Sequence, residues 1–137
     1  MTAIEAGARG TAELVLGEAD LASSLALAAE DAFPAVFATS RMVALMELAA
    51  ARCMRPLLEP GQLSVGVNVN VAHLAATPPG VTVRAEATFT GMEGRLYRFE
   101  LSAWDQGGVI GQGTHTRAII AGERLLKGAY SRNGAGN

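Results

Sequence analysis

Residues 39–73 read TSRMVALMELAAARCMRPLLEPGQLSVGVNVNVAH, and a change of period inside this stretch decides the fold. From Met42 to Met54 eleven of thirteen residues are apolar, broken only by Glu47 and Arg52, and the run stops at Pro56. That pattern predicts a helix opened by Thr39, a good N-cap residue, and closed before the proline. A surface helix would show a polar face every three to four residues, whereas this one is apolar nearly all round and should be buried on most sides. After a turn at Pro60-Gly61 the period drops to two. Val65, Val67, Val69 and Val71 alternate with Gly66, Asn68, Asn70 and Ala72, which predicts a half-buried strand, valines on one face, running on toward His73.

Working outward, TPPG at residues 77–80 is a turn leading into VTVRAEATFT, where Val81, Val83, Ala85, Ala87 and Phe89 share a face. Glu93-Gly94 predicts a hairpin to RLYRFELSAWD, with Tyr97, Phe99, Leu101 and Ala103 opposite Leu96, Arg98, Glu100, Ser102 and Trp104. Gly107-Gly108 turns the chain into VIGQGTHTRAIIA. On the amino-terminal side, residues 1–10 look loose and TAELVLG (11–17) forms a first strand. Between them and the helix, residues 18–38 carry Pro34 and the apolar anchors Phe33, Val36 and Phe37. This is a lid-like loop with one helical turn, a candidate gate. The sum is α+β: a strand, a lid, one buried helix and four strands in antiparallel meander. Residues 1–127 form one domain, and 128–137, rich in Gly, Ser and Asn, are expected to be a flexible tail. A helix this apolar against a sheet with a further apolar face predicts a homodimer.

Composition excludes several classes. The chain has 137 residues, enough for one core but not two, and half of them are hydrophobic. Eleven basic against thirteen acidic residues, with no basic run, give no footprint for nucleic acid. Cys53 is the single cysteine, so neither an intrachain disulfide nor a cysteine metal cluster can form, which fits a cytoplasmic protein. LASSLALAA (21–29) has the apolarity of a signal-peptide core but follows acidic residues, and no apolar segment reaches the roughly 18 residues of a membrane span. A soluble protein without a membrane partner is expected.

Three polar side chains stand out of the apolar pattern: Thr39, Glu47 and His73. Hydroxyl, carboxylate and imidazole together can open an ester or thioester. Each has a plainer reading. Thr39 could only cap the helix, although a cap also lies beside free amides suited to an oxyanion. Glu47, between Met46 and Leu48, is either desolvated and poised for acid/base work or paired with Arg52. His73 could be structural, as His115 on the last strand is expected to be. No HxxxH or HExxH spacing supports a metal site. Gly66, among valines, permits a close approach of a ligand or of the helix. Arg117, ahead of Ala118, Ile119 and Ile120, either binds an anion or forms a surface ion pair.

FPAVFATSRMVALMELAAARCMRPLLEPGQ, SVGVNVNVAHLAATPPGVTV and GQGTHTRAII resemble the hotdog-fold acyl-CoA thioesterases, most closely their fluoroacetyl-CoA thioesterase subgroup, over about residues 33–120. The resemblance implies a curved antiparallel sheet wrapped around one long helix, a homodimer with active sites at its interface, hydrolysis of a small or short-chain acyl-CoA, and no cofactor. It implies Thr39, Glu47 and His73 as the catalytic set, with Gly66, Arg117 and the lid residue Phe33 against the substrate. One position departs. Three residues before Phe33, where the subgroup has a second lid phenylalanine, this chain has Glu30. A charged residue cannot seal a small dry pocket in the same way, so the chemistry is expected with an altered acyl preference. Two rivals are a non-catalytic hotdog protein that sequesters an acyl-thioester and a hotdog hydratase. The first has no need of a buried carboxylate, and the second needs an Asp/His pair that the sequence lacks.

Overall fold

The structure is a computed structural model and describes residues 3–134. Five antiparallel strands, β1 (Arg9–Val15), β2 (Gln62–His73), β3 (Thr82–Glu93), β4 (Leu96–Asp105) and β5 (Gly108–Ala121), lie in the order β1-β3-β4-β5-β2. Helix α1 (Thr39–Met54) crosses one face of this sheet and α2 (Gly122–Arg132) follows β5. The meander expected for four strands holds for β3, β4 and β5 only. After His73 the chain crosses over through residues 74–81, so β2 pairs with β5 instead of β3. β1 and β2 are therefore the two edges of the sheet.

Alternation predicts the inner faces of β3 and β4 correctly: Val83, Ala85, Ala87, Phe89, Phe99, Leu101 and Ala103 are all buried. They meet Met42, Leu45, Met46, Ala49, Ala50 and Met54 of α1. Alanines at 85, 87 and 103 leave room for the helix to lie close, while Phe89 and Phe99 fill the space beyond it in an edge-on contact. Gly10 on β1 makes the closest approach. A Cβ there would run into the Ala49 carbonyl and the Cys53 amide of the helix backbone.

The valine strand differs from its simple alternation. Between Gly66 and Asn68 the pairing with β5 shifts, leaving Val67 as an extra residue in a β-bulge. One inserted residue inverts every side chain beyond it. Ser64 and Gly66 thus face α1 before the bulge, and Val69, Val71 and His73 face it afterwards, while Val67 is 54% exposed.

Helix α1 begins one residue earlier than a Thr39 cap requires. Ala38 is the N-cap, and no side chain caps the first turn. The expected burial on most sides is partial, since Ala44 and Leu48 stay exposed. The lid segment folds back on itself through 3-10 turns at Glu18–Asp20 and Ala22–Leu25, closed by a Leu21–Phe37 bridge and an Ala22-to-Val36 hydrogen bond. Its base is buried at Leu21, Phe37 and Ala38, and its tip, with Leu27 and Phe33, is exposed. At the other end α2 runs past Gly128 to Arg132, a segment whose composition predicts no fixed structure. Leu125, Lys127 and Ala129 are adequate helix formers, and the helix is already nucleated by β5 when it reaches the glycine. Residues 1–2 and 135–137 of the expected loose ends lie outside the described residues. Among the described residues no helix is long and apolar enough to cross a membrane.

Candidate active site

The polar residues that stand out in the sequence gather in two groups along α1. At its start, Thr39 is freed from capping, and its Oγ1 lies 2.7 Å from Nδ1 of His73 at the end of β2. The imidazole is held by Phe37, whose ring meets it edge-on with centroids 6.4 Å apart. The Phe37 amide in turn donates to the Thr77 carbonyl, and the Thr77 hydroxyl donates to Asp105 at 2.7 Å. Lid base, crossover turn and helix start are thus tied around one histidine. Burial lowers the His73 pKa, with the Ala75 backbone opposing, so the ring is neutral near pH 7. Its Nε2 is buried without a hydrogen-bond partner. Carrying the proton on Nε2 leaves the Nδ1 lone pair to accept the Thr39 O–H, which is the arrangement of a general base on a hydroxyl. The Arg41 and Met42 amides donate to the Ala38 carbonyl, and those of Thr39 and Ser40, at the very start of α1 beside this pair, have no intrahelical acceptor. A cleft of about 390 Å³ opens on it, lined by Thr39, His73, Pro34, Val36 and Phe37 among others. Phe33 lies on the lid tip, 51% exposed, and does not line this cleft.

Two turns further along α1, Glu47 meets β2 and β5. Its Oε2 accepts from Nη1 of Arg117 at 3.3 Å, and the arginine also donates to Ser64 Oγ (3.1 Å) and the Ser64 carbonyl (2.8 Å). Arg117 is 6% exposed, so neither a surface ion pair nor a free anion site describes it. Burial lowers its pKa and Glu47 opposes that shift, and an arginine so paired stays charged. Glu47 is less desolvated than its apolar neighbours in sequence predict, with 37% of its side chain exposed. Arg52 is not its partner and donates instead to the Thr11 carbonyl. Gly66 gives the carboxylate its place, because a Cβ there would collide with Glu47 Oε2. The close approach permitted by this glycine is the helix glutamate's.

Sequence reasoning set His115 aside as structural. It is buried beside Arg117, with Nε2 3.1 Å from Arg117 Nη1. The available signal was spacing: residues 115 and 117 of one strand share a face, and Gly66 is the register partner of Arg117. Among the described residues no three His, Cys, Asp or Glu side chains converge as metal ligands.

Residues 21–123 match the family model described as fluoroacetyl-CoA-specific thioesterase. The chain belongs to that family. A curated relative, the fluoroacetyl-CoA thioesterase of Streptantibioticus cattleyicolor, is 47% identical over 104 residues, covering 76% of this chain and 75% of the relative. A solved fluoroacetyl-CoA thioesterase superposes with a TM-score of 0.89 at 39% identity, covering 95% of this chain and 98% of that one. A thioesterase-superfamily protein of Thermus thermophilus gives 0.85 at 29% identity, covering 98% and 99%. A hot-dog-like protein of Thermanaerovibrio acidaminovorans gives 0.79 at 22% identity, over 93% and 91%, a likeness of fold alone. The curled five-stranded sheet around α1 is the hotdog fold of these thioesterases, and the family member described here is a thioester hydrolase.

Proposed function

We propose that this family member hydrolyses the thioester of a small or short-chain acyl-CoA in the cytoplasm, as a homodimer with its active sites at the subunit interface. The observation that carries the reading is the Thr39–His73 hydrogen bond at the mouth of a cleft of about 390 Å³. Thr39 and Glu47 supply or activate the nucleophile, and His73 takes up its proton. Helix-start amides or those near Gly66 polarise the carbonyl. Oxygen adds to the thioester carbon, the C–S bond breaks, and the leaving thiolate receives the proton from His73. Water is consumed, and free acid and coenzyme A are released.

Three features support the dimer. Glu47 and Thr39 are about 12 Å apart along the helix at 1.5 Å per residue. Gly66, beside Glu47, and His73 are about 23 Å apart along β2. One carbonyl cannot touch both groups in a single chain, whereas a twofold copy can set Glu47 of one protomer against Thr39 and His73 of the other. β2 also offers an open edge with Leu63 and Val67 exposed, 51% and 54%, which is an unpaired template for a second copy. The cytoplasmic assignment rests on the lone free Cys53. Glu30 shares the exposed lid tip with Phe33. Sealing a small fluorinated acyl group with a carboxylate nearby carries a desolvation cost, which supports a short acyl substrate without strict selection for fluorine.

The test is free-thiol release from acetyl-, fluoroacetyl-, short branched and aromatic acyl-CoA, by wild type and Glu47→Gln in parallel. The amide oxygen of glutamine still accepts from Arg117, so the variant should fold at a cost of about 1 kcal/mol. Its turnover should drop roughly 100-fold or more. Undiminished turnover would remove Glu47 from the mechanism. Tight binding of a panel member with no turnover by wild type would replace the enzyme reading with that of a binding protein.

A further inference from the structure

The buried His115 has no part in the reaction as stated, yet both of its ring nitrogens face polar partners. Nδ1 lies 2.8 Å from the Asn68 carbonyl, and because a carbonyl only accepts, Nδ1 carries the proton. Asn68 follows directly on the bulge at Val67, where the ladder with β5 is interrupted. The other ring nitrogen, Nε2, is thereby fixed as a bare acceptor and faces Arg117 Nη1 at 3.1 Å. The same Nη1 donates to Glu47 Oε2 at 3.3 Å. The guanidinium's other side is taken by Ser64, through Nε and Nη2. Phe99 lies against the imidazole, with ring centroids 6.3 Å apart, and Gly66 clears the space at its Cε1. Burial lowers the His115 pKa, with the Asn68 carbonyl and Glu47 opposing and Arg117 reinforcing, which keeps the ring neutral and able to accept.

We infer that His115 is a positioning residue, which, as the Nδ1–H tautomer set by the Asn68 carbonyl, holds the Arg117 guanidinium in the orientation that fixes the Glu47 carboxylate for the reaction. It touches neither substrate nor the reacting atoms and acts through Arg117. Without it Nη1 has only Glu47 to follow. Arginine and carboxylate then move together, and the precision of the carboxylate, not its presence, is lost. The inference rests on the reading of Glu47 as a reactive group.

Two substitutions separate positioning from packing. Asparagine at 115 keeps a donor where Nδ1 stands but offers nothing at Nε2, whereas glutamine places an acceptor near Nε2. His115→Asn is expected to lower kcat roughly 10- to 100-fold with KM within about twofold, as a small misplacement of a catalytic group does. His115→Gln is expected to recover most of that kcat, whatever either variant does to Tm. Equal kcat in His115→Asn and wild type overturns the inference, as does an equal loss in both variants. A measurement on the wild type stands independently of whether the variants fold: nitrogen-15 spectra of histidine-labelled protein at pH 7 should show His115 neutral with its proton on Nδ1. A proton on Nε2 overturns the inference. Glu47→Gln in the same assay distinguishes the two failures. An active Glu47→Gln removes the reading beneath the inference, whereas an inactive one beside a fully active His115→Asn removes the inference alone.

Discussion

Gly66 and the end of the Glu47 side chain compete for one small volume, and the glycine exists in that strand to yield it. Alanine at 66 would not push on backbone. It would push on a carboxylate that is 37% exposed and able to swing outward, away from Arg117, and press on Cε1 of the buried His115 at 3.2 Å. Gly66→Ala is therefore expected to cost about 1–3 kcal/mol of folding free energy, because displacing the carboxylate leaves the buried Arg117 without that partner. Its kcat should drop by roughly tenfold or more because the carboxylate is misplaced. Thermal melting and thiol release on one preparation check both, and unchanged kcat would mean that the carboxylate's position is unimportant. The candidate residues themselves were legible in the sequence, because a threonine, a glutamate and a histidine interrupting apolar runs are conspicuous. Their grouping was not. That Thr39 belongs with His73 and Glu47 with Arg117 depends on which strand lies beside which end of α1, and no local pattern records that. His115 was read as structural for the same reason: alone it looks like any core histidine, and its place beside Asn68 and Arg117, at 2.8 and 3.1 Å, depends on the pairing of β2 with β5.

At the scale of elements, periodicity located α1 and the inner faces of β3 and β4 because each lies wholly against one apolar layer. It failed on β2 because a bulge is a change of register against another strand. The string SVGVNVNVAH alternates perfectly while the side chains do not. Strand order was hidden as well, since nothing in residues 74–81 announces that the chain will cross to β5. The packing of α1 on β1 can be tested directly. Gly10 lies against the Ala49 carbonyl and the Cys53 amide, both backbone groups inside a hydrogen-bonded helix, which cannot give as a side chain can. Gly10→Ala is expected to destabilise the fold by about 1–3 kcal/mol, the usual cost of overpacking a well-filled site. Calorimetry should register this as a Tm lower by roughly 5–10 °C. Below the new transition the enzyme should retain its kcat, because the residue touches neither polar group of the site. A Tm equal to wild type would show that helix and strand are not in such close contact.

At the scale of the whole molecule, a single chain holds every candidate group but keeps them apart, Thr39 with His73 at one end of α1 and Glu47 with Arg117 two turns on. Charge, size and fold offer no reason for that separation, but a twofold axis does, provided each site draws its carboxylate from the other subunit. The consequence is sharp enough to test by mixing two inactive proteins. In a heterodimer of Glu47→Gln and His73→Ala, sites built across the axis collect both lesions in one place and neither in the other. One site of the two is restored. With free exchange of subunits half the dimers are mixed, so co-refolded or equilibrated protein should recover about a quarter of wild-type turnover, from two preparations each nearly dead on its own. If every site were built within one chain, each mixed dimer would carry one lesion per site and the mixture would stay inactive. Sedimentation or light scattering on the same sample establishes that dimers are present and exchanging. Recovered thiol release then assigns Glu47 to the opposite subunit, and continued inactivity in exchanging dimers returns it to the same chain as Thr39 and His73.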